Sequence, residues 1–202
     1  MVWRALGALL LALLVLPQDA QGQAPWRLDF QHEGLQRVNL RGPHGLDVAH
    51  YYMVFEVSNP GEKEVPLAIY FSLETDRSAR NQMGGQMVRD LGTAKVIEAV
   101  RAADGSRDEE REILGRSELP RTLAPGDKVT GVAVFGPLDK NADGFTVDVL
   151  GLRDVIVTRK GSDSFEKTAR RIQFARPGDS AGADRAPVKL VKESWVLLSD
   201  SP

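Results

Sequence analysis

Between Val65 and Leu73 every second residue is large and apolar: Val65, Leu67, Ile69, Phe71 and Leu73. Successive side chains of an extended chain point to opposite faces, so a period of two predicts a β-strand with one dry face. The run before it has the same grammar. From His50 to Ser58, Tyr51, Met53, Phe55 and Val57 share one face, while His50, Tyr52, Val54 and Glu56 share the other. Between the runs stands Asn59-Pro60-Gly61-Glu62, where proline presets φ and glycine accepts a positive φ. The two runs read as consecutive antiparallel strands.

Further runs follow the same pattern. Trp26 to Gln31 and Leu35 to Leu40 read as a hairpin around Glu33-Gly34. In the second half, Leu123-Ala124-Pro125-Gly126-Asp127 is a turn ahead of a β-branched run from Val129 to Phe135. Phe145, Val147 and Val149 alternate next, Asp154 to Thr158 adds a short run, and Lys167 to Ala175 and Val188 to Leu198 close the chain around the turn-rich segment Arg176 to Gly182. The stretch 85–119 breaks the rhythm. There Met87, Leu91, Ala94, Ile97 and Val100 fall near helical spacing and Asp108 to Glu112 is densely charged, which predicts a helical or irregular insertion with a solvated charged face. Many short strands separated by turn signals predict an all-β fold, specifically an antiparallel immunoglobulin-like β-sandwich carrying that insertion.

The first 22 residues bear on compartment. Arg4 precedes the unbroken apolar run Ala5 to Leu16, Pro17 and Asp19 end it, and Ala20-Gln21-Gly22 supplies small residues for a cut after Gly22, the pattern of a secretory signal peptide. The run is too short to cross a bilayer core of about 30 Å as a helix. The expected form is therefore an exported chain, periplasmic or extracellular, with no membrane span after cleavage. Removing 22 of the 202 residues leaves 180, enough for a single domain over 23–202. No cysteine is present, so the exported domain relies on its apolar core rather than on disulfides, and no lipid can be attached at a cysteine after the cut. A net charge of −2 gives no electrostatic footprint for nucleic acid.

The strand ending in Val57-Ser58-Asn59, then Phe71-Ser72-Leu73-Glu74-Thr75-Asp76, Leu123-Ala124-Pro125-Gly126-Asp127, Gly131-Val132-Ala133-Val134-Phe135 and Gly144-Phe145-Thr146-Val147 make up one pattern of turns and alternation over about residues 48–152, without internal repeat. It resembles the exported immunoglobulin-like domains of bacteria, including the telokin-like group of unknown function. The resemblance implies a fold and a life outside the cytoplasm. It implies no catalytic residues.

Four constellations carry candidate chemistry. Asp139-Lys140-Asn141-Ala142-Asp143-Gly144 fits the opening of a calcium loop, with Asp139, Asn141, Asp143 and the carbonyl of Phe145 as ligands. Its twelfth position is Leu150 where a bidentate carboxylate is needed, and the same residues also build an Asx turn between strands. The three histidines, His32, His44 and His50, lie early, and the stretch His44 to His50, with two histidines and Asp47 around a glycine-containing loop, invites a zinc reading, but no cysteine completes a ligand set and such residues are more often simply at the surface. Tyr52 and Tyr70 fall opposite the apolar stripe, where their rings would either contact a sugar or peptide or serve as cross-strand pairs. The acid pairs Glu74 with Asp76 and Glu109 with Glu110 would need to face one cleft to act as a hydrolase. A nucleophile elbow and a phosphate loop are both absent from the sequence. The expectation is an extracytoplasmic, non-enzymatic module that binds a protein or an envelope polymer. A calcium-stabilised β-domain and a hydrolase with an unrecognised site are the alternatives, and Trp195 is expected to anchor the core.

Overall fold

The computed structural model describes residues 26–42, 44–77, 85–105, 111–139, 141–159, 162–176 and 187–198, with the backbone alone for 154–159 and 162–166. The signal-peptide reading, the pair Glu109 and Glu110, and Pro177 to Gly182 of the expected turn lie outside the described residues. In chain order the elements are β1 (Asp29–His32), β2 (Gln36–Arg41), β3 (Asp47–Ser58), β4 (Val65–Pro66), β5 (Tyr70–Thr75) and β6 (Met87–Arg89). After them come helix α1 (Ala94–Gly105), β7 (Thr122–Leu123), β8 (Lys128–Phe135), β9 (Gly144–Arg159), β10 (Ser162–Ala175) and β11 (Lys189–Leu197). The fold is all-β apart from this helix, and every pairing between these strands is antiparallel.

Strand β3 organises the first sheet. β8 pairs along one of its edges, and β1 and β2 lie end to end along the other. The expected hairpin around Glu33-Gly34 is therefore not formed, because both arms pair with β3 and not with each other. Glu33-Gly34-Leu35 is instead a β-bulge: His32 faces Phe55 and Gln36 faces Tyr52, so three residues oppose two. Gly34 supplies the positive φ of 89° that the bulge requires, and Glu33 N–H still donates to Val54 O at 3.0 Å. The extra residue switches the inward parity, so that Phe30 before the bulge and Leu35 at its end both enter the core.

The second sheet runs β11-β10-β9-β5-β6. The period-two run feeds it: Val65 pairs with Leu123 in a short ribbon, Leu67 N–H donates to Arg121 O at 2.9 Å, and β5 then joins β9. β3 and β5 are thus not neighbours, as the alternation had suggested, but members of different sheets. Alternation specifies a dry face without specifying a hydrogen-bonding partner. Asn59 directs the crossing. Fully buried, it accepts Gly61 N–H at Oδ1 and donates through Nδ2 to the carbonyls of Lys63 (2.8 Å) and Leu123 (2.9 Å). Gly126 N–H donates to its carbonyl, so two segments of the sequence pattern, Val57-Ser58-Asn59 and Leu123 to Asp127, are clasped together.

The inner faces of the two sheets share one core. Tyr51, Met53, Phe55 and Val57 of β3 meet Phe71, Leu73, Phe145, Val147, Val149, Ile172 and Phe174 from the second sheet. The Phe55 and Phe71 centroids stand 4.7 Å apart and those of Tyr51 and Phe145 5.7 Å apart. Burying each such side chain stabilises the fold by about 1.5–3 kcal/mol relative to leaving it wet. All five residues of the Val65 to Leu73 run are buried.

The outer face of β3 and β8 is dry as well. α1 sets Val96, Ile97 and Val100 on Tyr52, Val54, Val132 and Val134, with Ile113 completing a second, smaller cluster. The insertion is helical only from Ala94 onward. Met87 lies on β6 and, like Leu91, is exposed. The Asp90 carboxylate prevents an earlier start by accepting Gly92 N–H at 3.0 Å, which closes a turn, and Val134 N–H at 3.0 Å. Leu91 N–H donates to Val134 O, and Leu114 bonds β8 at Thr130 and Val132, so these two segments cover the outer edge of β8.

Candidate functional site

The 139–145 loop is held by internal bonds. Asp139, largely buried, accepts Asn141 N–H at Oδ1 (2.9 Å) and Ala142 N–H at its carbonyl (3.1 Å), which closes an Asx turn. Asp143 N–H donates to Asp76 Oδ1 at 3.1 Å, the Asp143 carboxylate lies 3.8 Å from the Arg77 guanidinium, and its carbonyl accepts Arg176 N–H. Phe145 sits in β9 in register with Thr75 on one side and Phe174 on the other, its ring buried between Tyr51 and Arg176. No group of three or more His, Asp or Glu side chains is placed to hold a metal ion among the described residues.

The three histidines serve three different places. His44 is exposed in the β2–β3 turn, and His50 is half-buried on β3 opposite Val38. His32 lies at the bulge, where Nδ1 accepts Gly34 N–H at 3.0 Å and Nε2 is 3.7 Å from Glu193. Burial pushes its imidazole below the ordinary value of 6.5; Glu193 opposes the shift and Arg170 adds to it.

The two tyrosines are not brought together. Tyr52 is on the first sheet under α1, 9% exposed, with its hydroxyl donating to Gln36 Oε1 at 3.0 Å. Tyr70 is on the second sheet, 53% exposed, with the Arg116 guanidinium 5.2 Å from its ring. An inserted helix covers the first, and among the described residues no helix covers the second.

Among the described residues, two concavities of several hundred Å³ open to solvent. One, of about 490 Å³, lies between the β1–β2 junction of the first sheet and the approach to β11 of the second; Glu33 to Arg37 and Tyr51 line it with Pro187 and Val188. The other, of about 430 Å³, lies at the ends of β5, β9 and β10, where Glu74 and Asp76 both contribute, with Val191 of β11 at its margin. Asp76 is engaged there with Asp143 N–H.

Arginines, unremarked in the sequence, organise the rim between β1 and β11. Arg170 shares inward parity with Ile172 and Phe174; it donates to Glu193 (2.5 Å) and to Phe30 O (3.1 Å). Arg153 lies over the Trp195 ring at 3.8 Å. Trp195 is only half-buried, packing against the core with one face under a guanidinium. Arg176 is buried and donates to the Tyr51 hydroxyl at 2.6 Å. The readable signal was a charge at an inward position of an alternating strand, as at Arg170. On the outer face, Arg171 makes two 2.8 Å bonds to Asp148, which hold its guanidinium more firmly protonated than usual. Comparison with protein-family models, with curated proteins and with solved structures found no match to this chain.

Proposed function

We propose that the protein is an exported, non-catalytic binding module of the immunoglobulin-like kind, and that a protein or envelope-polymer partner docks in the groove between the β1–β2 junction and the approach to β11. The observation that carries this reading is the groove itself. Its walls come from the margins of two different sheets, Leu35 and Val188 give it apolar surface, and Glu33, Gln36 and Arg37 give it polar rims. Concave, partly apolar surfaces with a few polar groups are where ligands bind most often. A strand margin adds backbone groups that an extended ligand can pair with. Several of the carboxylates and guanidiniums that would otherwise suggest chemistry are engaged in bonds that hold strands and loops together, as at Asp148–Arg171, Arg170–Glu193 and Asp76–Asp143.

Pull-down from cell-envelope extract with the purified protein, run beside R37E and V188D, tests the proposal. The expected outcome is a partner retained by the parent and lost from both variants while their melting midpoints stay close to the parent's. Equal capture by all three proteins would remove the groove as the docking surface, and cleavage of a captured polymer would remove the non-catalytic reading.

A further inference from the structure

Arg27 and Arg153 are partners in an isolated antiparallel bridge where the chain entering β1 touches β9 of the other sheet. Residues directly opposite in such a pair project to the same side with Cβ atoms about 5 Å apart, and like charges there oppose folding. Acids compensate this pair poorly. Arg27 has Asp29 at 3.5 Å, both largely exposed, whereas the Arg153 guanidinium has no carboxylate partner and its Nε no hydrogen bond among the described residues. Thr168 bonds only the Arg153 carbonyl. The Arg153 plane is nonetheless held, because it lies 3.8 Å from the Trp195 ring, which itself packs on the core.

We propose that Arg27 and Arg153 form a carboxylate-binding site beside Trp195. Stacking covers one face of the Arg153 guanidinium and its Nε is buried, so the edge formed by its two Nη groups is what it presents, and a planar carboxylate takes two parallel N–H bonds from such an edge. Arg27, whose side chain is 58% exposed, supplies the second charge. A bound carboxylate removes the repulsion between the two guanidiniums. Burial and the neighbouring Arg27 both lower the Arg153 pKa, in keeping with a cation that lacks its counter-ion. The ligand class is an acidic side chain or chain terminus of a partner. This site goes beyond the groove reading and stands independently of it, since its residues are not those of the groove.

The test is a titration of the purified protein with a hexaglutamate peptide at low salt, followed by tryptophan fluorescence because Trp195 lies under Arg153. Inorganic phosphate and a hexalysine peptide run in parallel. We expect a saturable signal with hexaglutamate, weakened about tenfold or more in R153Q and several-fold in R27Q and R153K, since lysine keeps the charge and loses the planar fork. R37E, which alters the groove, should titrate like the parent. Thermal melts establish that each variant is folded, and R153K, which keeps the charge, covers the case in which R153Q is unstable. No saturable signal in the parent, equal curves for the parent and both Arg153 variants, or phosphate binding as tight as hexaglutamate would overturn the proposal.

Discussion

Gly131 stands opposite Phe55 across the β3–β8 pair, and its substitution by alanine puts the packing of the core under direct test. Inside a strand, glycine ordinarily costs about 0.5–1 kcal/mol relative to alanine because it surrenders more backbone freedom, so the change should stabilise wherever space allows. Here space does not allow it. A Cβ at Gly131 would lie 2.5 Å from Phe55 Cζ and 3.0 and 3.1 Å from its two Cε atoms. The ring has little room to retreat, being 1% exposed and packed against Phe71 at 4.7 Å and Phe30 at 5.9 Å. Overpacking of this kind costs about 1–3 kcal/mol, and it outweighs the backbone gain. G131A should therefore lose about 1–2 kcal/mol, a drop of about 2–8 °C in melting midpoint for a domain of this size. In an F55L background, where the distal ring atoms are gone, the same alanine should cost at least about 1 kcal/mol less, a coupling expected of residues in contact. Urea denaturation of the parent, both single variants and the double variant measures all four corners of the cycle. G131A as stable as the parent, or an identical effect in both backgrounds, would refute the argument.

Three further outcomes follow from the same geometry. N59A should lose about 2–3 kcal/mol by thermal or urea melts, because the buried Leu123 carbonyl, the part-buried Lys63 carbonyl and the Gly61 N–H lose their partner together; N59D should fare no better, since a carboxylate cannot donate to Lys63 O or Leu123 O. His32 has a lowered pKa, so the unfolded chain binds its proton more readily than the folded one; stability attributable to it is complete above 6.5 and declines as pH falls from there through the lower folded value. Protonation also removes the Nδ1 lone pair that accepts Gly34 N–H, so the melting midpoint of the parent should fall more steeply on acidification than that of H32Q, and parallel curves would contradict this. Calcium and a chelator should leave the melting midpoint unchanged, while D139A lowers it through loss of the Asx turn; a calcium-dependent rise would favour the metal reading of Asp139, Asn141, Asp143 and Phe145.

Local periodicity made the dry faces legible. Val65 to Leu73, Tyr51 to Val57 and Phe145 to Val149 could be assigned an inward side from spacing alone, because the pleat alternates regardless of what lies next to it. The Asx geometry at Asp139 was legible for a similar reason, since Asx turns are made within a few residues. Partnership was not legible. The hairpin expected at Glu33-Gly34 is a bulge because β3 offers one continuous edge to both segments, and the β3 to β5 step crosses between sheets because a buried Asn59 ties its turn to Leu123, 64 residues away.

The candidate surfaces divide along the same line. Tyr52 and Tyr70 have equivalent sequence signatures, yet one lies under α1 and the other is in solvent, because helix docking is set by the apolar patch of Tyr52, Val54, Val132 and Val134 assembled from two strands. The Arg27–Arg153 pair joins residues 126 positions apart, and Trp195 reaches it from a third segment. Alternation along a chain determined which side chains would be dry, since that depends on neighbours two residues off. Which edges pair, which faces are covered and which charges meet were decided by tertiary structure, because those energies arise between segments whose separation in sequence carries no record of their contact.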